Sequence, residues 1–153
     1  MRRHLMILAL GALVVPTVLL AADARVGTWK FNAAKSKFKP GPAYKSRTVK
    51  IEAAGEGVKV AIDGVLGDGK AQSYSYTVNY DGKDYPVTGN PAADTIAYKK
   101  VDDSTIEATT KKGGQVTATV TIVLAKDGKS MTVTSKGKDD KGPFTNVALY
   151  DRQ

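Results

Sequence analysis

Few side chains in this 153-residue sequence combine a reactive type with a spacing that does chemistry. The only histidine, His4, lies in an N-terminal segment expected to be removed, which leaves the rest of the chain no imidazole for general-base catalysis, proton shuttling or metal ligation. Cysteine is absent, so disulfides, thiolate metal sites and a lipid-modified cysteine are excluded. The serines at 36, 46, 73, 75, 104, 130 and 135 fall in strand-like or turn-like sequence with no supporting motif, and a Ser-Lys dyad gains nothing from its surroundings. Asp102-Asp103 and Asp139-Asp140 are adjacent carboxylates. Neighbours on a strand face opposite ways, and neither pair has the alternating oxygen ligands and glycine of a calcium loop, so both read as turn residues. No glycine-rich loop precedes a helix to cradle phosphate. These residues imply no enzyme, no catalytic residue, no metal and no cofactor.

What remains is recognition chemistry. Tyr74, Tyr76, Val78 and Tyr80 alternate along one strand face, and with Tyr98 and Tyr150 the tyrosines are the candidate ligand-binding residues, offering flat apolar surface and orienting hydroxyls. Trp29 is expected to plug one barrel end against the first and last strands. A second candidate is electrostatic. Net charge is +8, and from Arg25 to Ile51 the charged residues up to Lys50 are all basic. Lys35, Lys37, Lys39, Lys45 and Arg47 form a candidate contact for an anionic surface. No helix-turn-helix, zinc-finger or aromatic RNA-binding signature is present, which argues against specific nucleic-acid recognition.

The elements that must position these residues are strands. Val49, Ile51 and Ala53 alternate with Thr48, Lys50 and Glu52, and Val58, Val60 and Ile62 repeat the pattern after Gly55-Glu56-Gly57. The alternation is clearest from Val116 to Leu124. Asp68-Gly69-Lys70, Asp81-Gly82-Lys83 and Asp127-Gly128-Lys129 are three copies of a tight turn. Strands are expected over 27–31, 46–53, 58–64, 72–80, 84–88, 95–101, 104–111, 115–124, 130–136 and 144–151. Small inward residues such as Ala53, Ala108 and Ala118 would leave interior space. The segment from Asn32 to Lys45, holding Pro40-Gly41-Pro42, is the expected break, with a short helical turn over Ala33 to Lys37 lying across a barrel mouth. Closing such a meander removes its two exposed edges. The sequence therefore predicts an all-β fold, an antiparallel up-and-down barrel of about 8–10 strands.

Ahead of it, Arg2 and Arg3 with the apolar run from Leu5 to Leu20 read as a signal peptide over 1–24, followed by a single domain over 25–153. Cleavage after Ala24 fits the small-x-small rule at Ala22-Asp23-Ala24, and cleavage after Ala22 is the second choice. The expected location is periplasmic or secreted, in a bacterium, with no transmembrane span in the mature chain.

Gly27-x-Trp29 at the start of an exported antiparallel barrel resembles the signature of lipocalins and the wider calycin group. Thr105-Ile106-Glu107, Lys112-Gly113-Gly114, the stretch from Lys126 to Thr134 and the closing Val147-Ala148-Leu149-Tyr150 resemble the last four strands of the fatty-acid-binding proteins. The chain is also similar to small exported bacterial proteins that open on Gly-Thr-Trp-Lys and carry Tyr-Pro-Val-Thr-Gly-Asn-Pro, here Tyr85 to Pro91, a likeness that implies export and no particular activity. Fatty-acid-binding proteins grip the ligand carboxylate with an Arg two residues before the terminal Tyr and another on an earlier strand. This chain has Ala148 at the first place and no Arg between Arg47 and Arg152, so it lacks that clamp. The resemblance implies a calycin-like barrel that binds a small apolar or amphipathic ligand without transforming it. The alternative is an interaction module with a packed core whose basic loops contact a protein or an anionic envelope surface.

Overall fold

The computed structural model describes residues 23–153; the expected leader lies outside them except for Asp23 and Ala24. Period-two alternation and glycine turns produce ten antiparallel strands, with no helix among the described residues. They are β1 (Gly27–Lys39), β2 (Tyr44–Ala54), β3 (Gly57–Leu66), β4 (Ala71–Val78), β5 (Tyr85–Thr88), β6 (Thr95–Lys100), β7 (Thr105–Lys112), β8 (Gln115–Leu124), β9 (Ser130–Asp139) and β10 (Gly142–Arg152). Each pairs with its neighbour in sequence, and β1 pairs with β10, closing the barrel. Trp29 stands opposite Arg152 and Phe31 opposite Tyr150 across that seam. The Asp-Gly-Lys turns behave as their chemistry dictates. In each, the Asp Oδ1 accepts a hydrogen bond of 3.0 Å from the backbone N–H of the Lys, while the glycine takes a positive φ of 89°, 75° or 70°.

The barrel has two unlike poles. At the first, the chain enters before Trp29, which is fully buried. Its indole Nε1–H donates to the Arg25 carbonyl at 2.9 Å, and the Arg152 guanidinium lies 4.3 Å from its ring centroid. Arg152 also donates to the carbonyls of Gly128 and Val26 and so ties the segment before β1 and the end of β10 to one turn. At the second pole β1 pairs with β2 only from Gly27 to Lys30, and the two strands then part. Phe31, Phe38 and Tyr44 fill the space between them, their ring centroids 4.8 to 5.8 Å apart.

Two expectations need correction. The segment after Asn32 holds no helical turn; β1 runs on to Lys39 with a wide bulge, Asn32 facing Leu149 while Lys37 already faces Val147. Ser36 repairs the ladder there, its Oγ accepting from the Leu149 N–H at 2.9 Å and donating to the Asn32 carbonyl at 2.6 Å. Ala53 is exposed because it sits at the β2–β3 hairpin, beyond the interior layers, whereas Ala108 is buried and Ala118 half-buried.

Candidate ligand cavity

Inward positions of β2, β3, β8 and β9 supply an apolar wall that includes Val49, Ile51, Val60, Ile62, Ile122 and Met131, and this wall encloses a cavity of about 130 Å³. Val120 and Ile122 are only half-buried although they face inward, since the cavity leaves part of their surface uncovered. Tyr74, Tyr76, Tyr80, Tyr98 and Tyr150 all line it. The structure thus brings together every tyrosine that the alternating pattern selected.

Their hydroxyls are held in small networks. Tyr76 and Tyr98 share a hydrogen bond of 2.7 Å, with their rings edge to face and centroids 5.9 Å apart. Tyr150 donates to Tyr44 at 3.3 Å. Burial pushes Tyr98 up to about 12 and raises Tyr74, Tyr76 and Tyr150, so these groups stay protonated at neutral pH. They can orient a ligand by donating or accepting but have no anionic form to act as base or nucleophile. Tyr80 is raised as well, first by burial and then by donating its O–H to the Asp23 carboxylate.

The basic group divides. Lys35, Lys37, Lys39 and Lys45 are exposed, the first three on the outward face of β1. Arg47 does not stand with them: its guanidinium lies 3.8 Å from the Tyr44 ring centroid and donates to Gln72 Oε1, on the inner side of β2. The period-two alternation that turns Val49 and Ile51 inward turns Arg47 inward too.

Arg25 is the residue that sequence reasoning missed. It precedes β1, lines the cavity and is only 5% exposed. Asp23 folds back beside it, Oδ1 accepting from the Arg25 backbone N–H at 2.9 Å and standing 3.5 Å from Nη1. The Nε and Nη2 groups make no hydrogen bond among the described residues. The only sequence signal was an isolated cation four residues before the plugging tryptophan, flanked by an acid two residues earlier.

No metal-ligand cluster of His, Cys, Asp or Glu occurs among the described residues, and no helix there is long and apolar enough to cross a membrane. No protein-family model matches the chain, and no curated protein does. Solved structures do match in fold. Zebrafish ileal bile acid-binding protein, complexed with cholic acid, aligns over 85% of this chain and 99% of its own with a TM-score of 0.53 at 10% identity. Two β-barrels bound to DFHBI align comparably: EF1p2_mFAP2b over 87% of this chain and 97% of its own, TM-score 0.52 at 13% identity, and the redesigned barrel mFAP1 over 86% and 98%, TM-score 0.50 at 14% identity. The fold is that of the calycin-like barrels.

Proposed function

We propose that this chain is a non-enzymatic binding protein that holds a small apolar or amphipathic molecule inside its barrel. The observation that carries this reading is the cavity itself. Protein interiors fill to crystal-like density, and this chain leaves about 130 Å³ unfilled between apolar walls. Burial against Val60, Ile62, Ile122 and Met131 would supply affinity, and the neutral hydroxyls of Tyr76 and Tyr98 would orient the ligand. The barrels of like fold, with cholic acid or DFHBI bound, lend this reading support. Native mass spectrometry of gently purified protein tests it. Discrete adduct masses are the expected result; a bare spectrum together with no thermal shift across a panel of lipids and small aromatics would contradict it.

We also propose export, with the mature chain beginning at Asp23. Of the two cleavage positions, the one after Ala24 would delete the carboxylate that pairs with Arg25 and accepts from Tyr80, whereas the one after Ala22 keeps both contacts. N-terminal sequencing of exported protein decides between them, Asp23 being the expected first residue and Arg25 the contrary one.

A second reading rests on the exposed lysines. Lys35, Lys37, Lys39 and Lys45 enter no ion pair among the described residues, leaving their charge available to an anionic envelope surface. Salt-sensitive binding to phosphatidylglycerol vesicles should disappear when Lys35, Lys37 and Lys39 become Glu; binding that survives would remove this surface from consideration.

A further inference from the structure

Arginine is almost never buried unless its donors are paired, yet Arg25 is 5% exposed with two donor groups unused. The two are not arbitrary. Nε and Nη2 form one edge of the planar guanidinium, with roughly parallel N–H bonds, and that edge matches the two oxygens of a carboxylate in a bidentate pair. Nη1, which points the other way, is the nitrogen that approaches Asp23 at 3.5 Å.

Asp23 cannot readily serve both edges. Its Oδ2 accepts the Tyr80 hydroxyl and its Oδ1 accepts the Arg25 backbone N–H, so swinging it to the vacant edge would break both bonds. Its charge is spread over these donors and partly screened by solvent, with the Asp23 side chain 18% exposed. Arg25 lines the cavity and keeps an unbalanced positive edge; its Nε and Nη2 atoms are themselves covered, so a ligand group reaches that edge once the side chain turns toward the cavity. Size narrows the choice further. A cavity of about 150 Å³ accommodates benzene, and this one, at about 130 Å³, has room for roughly one ring. A long acyl chain does not fit that volume. A phosphate, tetrahedral and strongly hydrated, suits the apolar wall and the nearby Asp23 charge less well than a planar monoanion does.

We propose that the Nε and Nη2 edge of Arg25 is the seat for the carboxylate of a compact ligand, a monocyclic aromatic or short-chain acid whose apolar body lies among the tyrosines and aliphatic side chains of the cavity. This names the ligand class for the container proposed above and rests on that reading. The seat differs in place from a carboxylate clamp on the last strands, where Ala148 stands.

The test is a nuclear magnetic resonance titration of the chain beginning at Asp23 with three probes of similar size: benzoate, its neutral isostere benzamide, and ethylbenzene. Benzoate should bind about tenfold or more tightly than benzamide and move the Arg25 side-chain Nε–H resonance downfield. Arg25→Met should erase that preference while ethylbenzene still binds, and Arg25→Lys, which keeps the charge but loses the fork, should weaken benzoate without abolishing it. Ethylbenzene binding with no preference for benzoate over benzamide would overturn the seat and leave the container standing. Benzoate that perturbs only Lys35 to Lys45 would overturn it as well. Failure of all three probes to enter the interior would remove container and seat together. Should Arg25→Met not fold, the wild-type preference and the Nε–H shift decide the matter with Arg25→Lys.

Discussion

Arg47 and Arg25 both turn inward beside aromatic rings, one at each pole of the barrel. Arg47 is stacked on Tyr44 and donates to Gln72 in the gap where β1 and β2 part. Arg25 is the more deeply buried of the two and the less satisfied. An arginine that closes a gap acts as structure, with its planar face already covered by a ring. One that faces a cavity with an edge unspent is poised for something that arrives later. The poles differ in the same sense in their packing: at the Trp29 pole Arg152 ties the segment before β1 and the β8–β9 turn together, whereas the Tyr44 pole is filled by rings without continuous strand pairing.

The largest effect that would sharpen this contrast is at the tied pole. Trp29→Ala should lower stability by about 3–5 kcal/mol in urea denaturation, more than Phe38→Ala at the other pole, because Trp29 is fully buried and Phe38 half-buried. Equal losses would mean that the poles are equivalent.

Next in size is the alkaline limit of the Tyr76–Tyr98 pair. Tyr98 titrates near 10 when unfolded and at about 12 when folded, so its neutral form stabilises the barrel fully below pH 10. That contribution, about 3 kcal/mol, is lost as pH rises from 10 through 12. Stability measured against pH should be level up to about 9 and fall beyond 10, and Tyr98→Phe should make the fall shallower; an unchanged slope would remove the buried hydroxyl as its cause.

Smaller effects separate the arginines. Arg47→Met should cost about 1 kcal/mol through the lost stacking and hydrogen bond, while Arg25→Met should cost less, because the loss of its pairing with Asp23 is offset by the removal of two unpaired buried donors. The reverse order would show that Arg25 serves structure. Smallest is Ala108→Val, which adds methyl groups at the cavity wall and should stabilise the ligand-free protein by about 0.5–1 kcal/mol while weakening an interior ligand. Stabilisation without any loss of binding would place the ligand elsewhere.

The strands were legible because alternation and Asp-Gly-Lys turns are local signals, and the shared face of Tyr74, Tyr76 and Tyr80 was legible because residues two apart point the same way, a signal that does not reach Tyr98 and Tyr150 on other strands. The bulge after Asn32 was not. Alanine and lysine between Ala33 and Lys37 suit a helical turn by propensity, and the contact that keeps them in a strand joins Ser36 to Leu149 across the barrel seam. Arg47 was open to the same alternation that placed Val49 and Ile51, but its charge drew it into the surface group. Arg25 stayed hidden for a different reason: its burial depends on Asp23 folding back and on Trp29 holding the Arg25 carbonyl, neither of which has a periodic signature.

The most direct test of the container is the set of nuclear Overhauser contacts between ethylbenzene and the methyl groups of this chain. Contacts to Ile122 and Met131, which face the cavity, with none to Val116 and Val123 on the exposed surface, are what an interior site requires. Contacts confined to Val116 and Val123, or none at all, would contradict it.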